Sequence, residues 1–433
     1  MKTAVAVLNK RGDSATLSSY DKQHCVHLDD AIALFDGRIY SPTLDVPVTE
    51  IITKKFQQAD RLKASEAFLK EVEGDFSFMI AEPERIIAGR DSIGVQPLYY
   101  GENRTVAALA SNRKALWKLG IQKTRSFPPG HLALISREGF KFKPLKTLVY
   151  SKPKSIAMKK AAETLQKLLE KSVFRRVSGT KEIAVAFSGG LDSSVVAFLA
   201  KKCQANVHLV HVSLENQAET EEAKKVADAL NLPLHVYLFR EADIEKVVSR
   251  VVALIEEPDP VKTSIGVPFY WTAEKTAGAG FKVLLAGQGA DELFGGYQRY
   301  INAYLLHGKE KVRKTMFDDV VRLHVSNIER DVKICNFHNV ELRLPFTSYL
   351  IAEFAVALPV ELKIEKHTDT LRKLVLRKVA ENMGLPTSVT EKPKKAVQYS
   401  TGINNALKKI AKKQRTTVAE YVNKLFLSQT SEN

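Results

Sequence analysis

The chain has 433 residues, 45% apolar and 26% charged, and 65 Lys and Arg against 49 Asp and Glu set a formal charge of +16. A single core rarely grows past about 250–300 residues, so more than one domain is expected, and ordinary counts of 22 Gly and 16 Pro exclude collagen-like, low-complexity and disordered classes. The basic balance admits nucleic acid, acidic lipid or an anionic small substrate, while three scattered cysteines, Cys25, Cys203 and Cys335, exclude a disulfide framework and a cysteine-rich zinc site and point to a reducing compartment.

The opening MKTAVAVLNKRGDSAT reaches charge and turn residues after a short apolar run, so it predicts a first strand and not a secretion signal. Strand patterns follow in FSFMIAE, ERIIAGRD, PLYYGE and HLALISRE, separated by Gly, Pro, Asn and Asp, with little helix between them. The proline- and lysine-containing stretch around residues 146–155 reads as a linker. Beyond it, IAMKKAAETLQKLLEKSVFRRV places Leu165, Leu168, Leu169 and Val173 on one helical stripe. The runs EIAVAF, VHLVHVSL, LHVYLF and KVLLAG then alternate with helices, which predicts a parallel sheet with crossover helices. The basic run from Lys392 to Arg415 reads as a solvated helix face. No stretch approaches the roughly 18 apolar residues of a membrane span, so a soluble, cytoplasmic protein without a membrane partner is expected.

The most informative segment is Ile183-Ala-Val-Ala186-Phe-Ser188-Gly189-Gly190-Leu-Asp192-Ser193-Ser194. An apolar strand enters Ser-Gly-Gly and then an apolar helix, so backbone N–H groups converge where the helix dipole is positive, forming an anion cradle. Ser188, Ser193 and Ser194 add hydroxyls, and Asp192 stands where a carboxylate can hold a phosphate-bound Mg²⁺. The loop lacks the G-K-[ST] ending of a Walker motif. About a hundred residues on, Val283-Leu-Leu-Ala-Gly287 opens into Gln288-Gly289-Ala290-Asp291-Glu292-Leu-Phe-Gly295-Gly296-Tyr297. Two further blocks follow, Glu341-Leu-Arg343-Leu-Pro345-Phe346 and Leu371-Arg372-Lys373 through Lys394-Lys395-Ala-Val-Gln398-Tyr399-Ser400.

The first loop resembles the PP-loop ATP pyrophosphatases, and the four ordered motifs together resemble the asparagine synthetase family, which includes the β-lactam synthetases. The resemblance implies an α/β C-terminal domain over 156–433, with a parallel sheet like that of adenine nucleotide α-hydrolases. It implies ATP and Mg²⁺ as cofactors. Ala186, Ser188, Gly189, Gly190, Asp192, Ser193, Val212 and Gly287 would hold the nucleotide, Asp192 and Asp291 the metal, and Lys395 the departing pyrophosphate. Gln288 would stand beside the reacting acyl group, and Arg343 is a candidate carboxylate clamp or, alternatively, a helix-terminal salt bridge. The implied reaction joins a carboxylate, with aspartate leading, to ammonia through an acyl-adenylate. Two other readings stay open: a different carboxylate or amine in the same chemistry, and, ranked last, RNA binding by the basic back half. His211 and His338 read as packed histidines, and Tyr297, Tyr300 and Trp271 as packing or pocket-wall residues.

Departures from the family pattern bear on the acceptor. Gln288 stands where aspartate-using members mostly carry glutamate. The segment Glu256–Gly266 has no arginine, leaving Lys262 as a charge without a bidentate fork, and Thr347-Ser348 replaces leucine-aspartate.

The segments Val72–Ala81 and Ile87–Tyr100, with Asp36-Gly37-Arg38-Ile39-Tyr40 and Pro128-Pro129-Gly130-His131, resemble a class II glutaminase domain. This implies an α+β N-terminal domain over 1–145, an Ntn-hydrolase-like antiparallel β-sandwich between helices, whose relatives suggest a homodimer. The chemistry-bearing residues depart from that pattern. Lys2 stands where the family has its nucleophilic cysteine, the arginine-glycine-proline-aspartate block has no counterpart, and Asp36-Gly37-Arg38 replaces asparagine-glycine-glutamate. Cys25 has no free α-amine to serve as its base and reads as a small core residue. The expectation is a glutaminase relic that does not hydrolyse glutamine, with free ammonia supplying nitrogen.

Overall fold

The computed structural model describes residues 3–12, 14–19, 25–41, 46–58, 60–365, 371–393 and 401–430. The chain divides into two compact units, Met1–Leu148 and Val149–Asn433.

In the first unit, β1 (Ala4–Asn9), β2 (Ser14–Ser19), β7 (Tyr99–Glu102), β8 (Val106–Ala110) and β9 (Arg125–Ser126) form a five-stranded sheet in the order β2-β1-β8-β7-β9. A second sheet joins β3 (Cys25–His27), β4 (Ile32–Ser41), β5 (Glu73–Glu82), β6 (Arg85–Arg90), β10 (His131–Ser136) and β11 (Gly139–Pro144) in the order β11-β10-β6-β5-β4-β3. The strand pairings within both sheets are antiparallel.

Side-chain alternation builds the layers. Ala4, Ala6 and Leu8 of β1 pack with Met79 and Ala81 of β5 and Ile86 and Ala88 of β6, a core between the two sheets. The alternate residues Phe76, Phe78 and Ile80 of β5 face the other way, onto Ile52 and Phe56 of α1 (Val48–Phe56) and Phe68 and Leu69 of α2 (Arg61–Glu71). Outside the five-stranded sheet, Tyr99, Ala108 and Ala110 cover Leu116 of α3 (Arg113–Lys118). The result is the sandwich between helices that the glutaminase resemblance implies.

In the second unit, α4 (Met158–Val177) precedes β12 (Glu182–Ala186), α5 (Leu191–Lys201), β13 (Asn206–Leu214), α6 (Ala218–Leu230), β14 (Leu234–Phe239), α7 (Glu241–Ile255), α8 (Pro260–Gly278), β15 (Val283–Leu285) and α9 (Ala290–Phe294). After α10 (Gln298–Val321), whose helical path breaks at Gly308, a π-helical turn at His324–Ile328 runs into α11 (Glu329–Phe337) and β16 (Glu341–Arg343). The sheet order is β14-β13-β12-β15-β16, parallel throughout. From β12 the chain first winds outward through β13 and β14, then returns to place β15 on the other side. This is a topological switch point, and ligands bind at the carboxyl ends of strands at such points.

The strand pattern of the back half is observed as read, with β16 added from the Glu341-Leu-Arg343 motif. The tail is a docked helix, Val418–Thr430, where Gln429 donates to the Ser249 carbonyl at 2.7 Å and its hydroxyl at 2.8 Å. Among the described residues no helix is long and apolar enough to cross a membrane.

Candidate active site

A cleft opens at the carboxyl ends of β12, β13 and β15, lined by Ala186, Ser188, Asp192, Ser193, Val212 and Gly287 among others. Its nucleotide end is built by the turn from β12 into α5. Gly189 takes φ +66°, and a Cβ there would lie 2.8 Å from the Ala223 Cα, so this turn requires glycine. Gly190 caps α5. The Ser193 hydroxyl donates to the Gly190 carbonyl at 3.1 Å and accepts from the Ser188 amide at 3.3 Å, and the Gly190 amide donates to the Ser188 hydroxyl at 3.3 Å. These bonds tie the loop into a fixed cradle at the start of an eleven-residue helix, the geometry that suits phosphate. Gly189 and Gly190 shape the loop without lining the cleft. Ile265, Pro268, Phe269 and Thr272 of α8, on one helical face, form an opposite wall.

Asp192 in the first turn of α5 and Asp291 in the first turn of α9 converge on one point, although ninety-nine positions separate them in the chain. Lys373 occupies that point. Its Nζ lies 2.7 Å from Asp192 Oδ1, 2.5 Å from Asp192 Oδ2 and 2.7 Å from Asp291 Oδ1. Lys373 itself is only 2% exposed. Gly296 admits this approach: a Cβ there would stand 1.8 Å from Asp291 Oδ1 and 2.4 Å from Lys373 Cε. Two hard oxygen ligands aimed at one cation-binding point, beside a phosphate cradle, are the donor set that Mg²⁺ takes when water and phosphate oxygens complete its shell. Asp192 and Asp291 are thus of the ligand type the metal takes, and in this structure the Lys373 ammonium fills the point between them and neutralises the pair. Among the described residues no group of three or more His, Cys, Asp or Glu forms a richer metal site.

The other end of the cleft is a buried polar network. Glu292 accepts from the Tyr297 hydroxyl at 2.6 Å and from Asn327 Nδ2 at 2.7 Å. Burial, reinforced by the neighbouring Asp291 charge, pushes the Glu292 carboxyl up to about 7. Burial likewise raises the Tyr297 phenol well above its ordinary value. Gln288 Nε2 donates to Asp331 Oδ2 at 3.0 Å. Asp331, fully buried, also accepts from Arg330 Nε at 2.7 Å and Nη2 at 3.0 Å. Arg330 and Asn327 line the cleft, both at or just after the π-helical turn, a feature that often marks functional sites.

Comparison with known proteins places the chain. The sequence profile described as Asparagine synthase matches residues 164–309 and 302–432, and one described as Glutamine amidotransferase domain matches residues 47–118. A putative glutamine-hydrolysing asparagine synthetase of Methanocaldococcus jannaschii is 33% identical over 80% of this chain and 72% of its own length. The chain belongs to the asparagine synthetase family. Among its other relatives, glutamine-hydrolysing asparagine synthetases of Triphysaria versicolor and Sandersonia aurantiaca are each 27% identical over 78% of this chain. The chain spans 59% and 66% of those two proteins.

Within this asparagine synthetase architecture, most of the residues expected at the site are gathered into the cleft, and the exceptions are specific. Arg343 is not: it is 1% exposed, its Nε and Nη2 donate to Glu341 at 2.8 and 3.0 Å, and its Nη1 donates to the Thr180 hydroxyl at 2.9 Å and to the Arg176 carbonyl. Its fork is consumed in joining β16 to the end of α4, so the carboxylate-clamp expectation is corrected to a structural one. Lys395 lies outside the described residues, as does Lys2. Lys262 pairs with Glu257 and does not line the cleft. His211 does line it, but Nδ1 is bonded to the Phe187 carbonyl at 2.9 Å and Nε2 to the Thr220 hydroxyl at 3.1 Å. His338 packs against Tyr270 and Phe337, Trp271 stacks on Phe239 at 4.0 Å, and the Tyr300 hydroxyl donates to Asp319 at 2.7 Å. Lys373, Asn327 and Arg330 are site residues that the sequence does not mark: Lys373 precedes the more basic Lys394-Lys395 in the same late motif, and a helical Asn or Arg carries no local signal.

In the first unit, the glutaminase match covers residues 47–118. Burial pushes the Cys25 thiol above its ordinary value, the opposite of what a nucleophilic thiolate needs.

Proposed function

We propose that this chain is an ATP-dependent amide-forming ligase that activates a carboxylate, with aspartate the leading acid and free ammonia the nitrogen source. The observation that carries the reading is the convergence of Asp192 and Asp291, from two separate loop motifs, next to the Ser188–Ser193 cradle at the switch point of the sheet.

In the first step a carboxylate oxygen of the acid attacks the α-phosphorus of ATP. A C–O–P linkage forms, the bond to the β-phosphate oxygen breaks, and pyrophosphate leaves with its electron pair. The cradle amides and the serine hydroxyls face the negative charge that grows there. Bound Mg²⁺, held by Asp192 and Asp291, would supply further charge neutralisation at the phosphates. In the second step the nitrogen of ammonia attacks the acyl carbon, the bond to the AMP oxygen breaks, and a proton is released from nitrogen. Gln288 has no proton-accepting charge, so its part is to orient groups by hydrogen bonds.

Ammonia as the donor is supported by the raised Cys25 thiol, which offers no thiolate to attack glutamine. Ammonia release from glutamine by the purified protein, abolished by Cys25→Ala, would sink that part. The adenylation reading is tested by ATP–pyrophosphate exchange across a panel of carboxylates. Exchange dependent on aspartate supports the whole proposal. Exchange with a different acid alone removes the asparagine assignment and keeps the chemistry.

A further inference from the structure

The charged residues lining the cleft are Asp192, Glu219, Asp291, Glu292 and Arg330. Arg330 is thus the single cation among the described lining residues, in a cleft whose other charges are carboxylates. Of the described groups that line the cleft, Arg330 is the one that attracts an acid, because the Lys373 ammonium is taken up by Asp192 and Asp291. Arg330 is 4% exposed, so an ion pair there is little screened.

Its orientation is fixed. Asp331 grips Nε and Nη2 in a two-point pair, and Nη1 extends to Asn327 Oδ1 at 3.4 Å, a long bond that leaves this nitrogen with donor capacity. The same Asp331 holds Gln288 Nε2. One buried carboxylate on α11 therefore orients both the cation at the cleft wall and the amide next to the Gly287 turn.

We propose that Arg330, held by Asp331, binds a second carboxylate of the acid, so that this chain selects a dicarboxylate: one carboxylate reacts at phosphorus and the other is fixed by the guanidinium. This deepens the ligase reading and rests on it. Arg330 would touch substrate. Asp331 acts through Arg330 and Gln288 and is a positioning residue.

The experiment compares aspartate with β-alanine, which is aspartate without its α-carboxylate, in ATP–pyrophosphate exchange by the full chain. Wild type is expected to favour aspartate about 10⁴-fold in kcat/KM, the scale on which a site built around a polar group rejects an analogue lacking it. Arg330→Gln should lower aspartate to the β-alanine level while leaving β-alanine and the KM for ATP within about twofold, again by loss of that one contact. Arg330→Lys, which keeps the charge and loses the fork, should fall between them. Asp331→Asn should raise the KM for aspartate more than it lowers kcat, with the KM for ATP unmoved, a split that a general loss of folding does not produce.

An unchanged aspartate to β-alanine ratio in Arg330→Gln, or in Arg330→Lys if the first variant does not fold, overturns the proposal. Preference of wild type for monocarboxylates also overturns it. If another dicarboxylate replaces aspartate in wild type, the aspartate reading fails and the Arg330 comparison is made on that acid. If no acid supports exchange, calorimetric binding of aspartate decides: binding lost in Arg330→Gln retains the clamp without the ligase reading, and no binding to wild type removes both.

Discussion

The ammonium of Lys373 stands 2.7 Å from Asp192 Oδ1, inside the angle that Asp192 makes with Asp291. The contact joins a motif of the first loop to one that lies 181 positions later. It keeps two carboxylates together at the mouth of a phosphate cradle. Asp192→Asn preserves shape and removes charge, so it should abolish ATP–pyrophosphate exchange with every acid, a loss on the order of 3 kcal/mol or more of transition-state stabilisation. Circular dichroism should show an intact fold. Exchange surviving near the wild-type rate would refute the assignment of Asp192 to the phosphate and metal site.

Arg343 makes the opposite prediction. With four donors of its fork spent on Glu341, Thr180 and the Arg176 carbonyl, Arg343→Met should destabilise the second unit by roughly 1–3 kcal/mol, since the buried Arg176 carbonyl loses its donor. In the folded fraction, the KM for the acid should stay at the wild-type value. Denaturant titration and exchange kinetics on one preparation check both halves.

Lys363 is buried, and burial, with Arg313 adding repulsion, lowers its ammonium from 10.5 to about 7. The unfolded chain therefore binds more protons than the folded one between those values, and stability rises with pH across that window. Lys363→Met should stabilise the protein at pH 7 by about 1–3 kcal/mol. The gain should shrink toward pH 10. A gain that grows with pH, measured by thermal unfolding across the window, would show that the lysine is not desolvated as described.

His211 is 4% exposed and burial lowers its imidazole below the ordinary 6.5. Held neutral in the fold and free to protonate when unfolded, it contributes stability that is present above pH 6.5 and lost as pH falls through that value. His211→Asn, which keeps one donor for the Phe187 carbonyl, should flatten that part of the acid limb at a cost of about 1 kcal/mol at neutral pH. Amide formation should retain its pH profile, since both ring nitrogens are engaged in packing bonds.

The strands and the phosphate loop were legible because their signals are local. A period-two pattern in TAVAVLN and FSFMIAE, or Ser-Gly-Gly after an apolar run, is set by the backbone next to it. The pairing of Asp192 with Asp291 was likewise reachable, since both begin helices at the ends of strands. What escaped was set by distant parts of the chain. Arg343 sits in a motif that reads as a clamp, yet its partners Arg176 and Thr180 come from α4 and the turn after it. Arg330 looks like an ordinary helical surface residue until the π-helical turn and Asp331 aim it at the cleft. Lys373 gains its meaning only when two loops close around it. β16 is three residues long, too short for its alternation to register.

The central claim is that the acid is activated through a bond from its own oxygen to the α-phosphorus of ATP. Turnover of an acid carrying isotopically labelled carboxylate oxygen, in the presence of ammonia, with mass analysis of the nucleotide product, tests it most directly. The account predicts AMP bearing one labelled oxygen, an amide that has lost one, and unlabelled pyrophosphate. Label in inorganic phosphate with ADP as the nucleotide product, or amide formation that leaves AMP unlabelled, would contradict it.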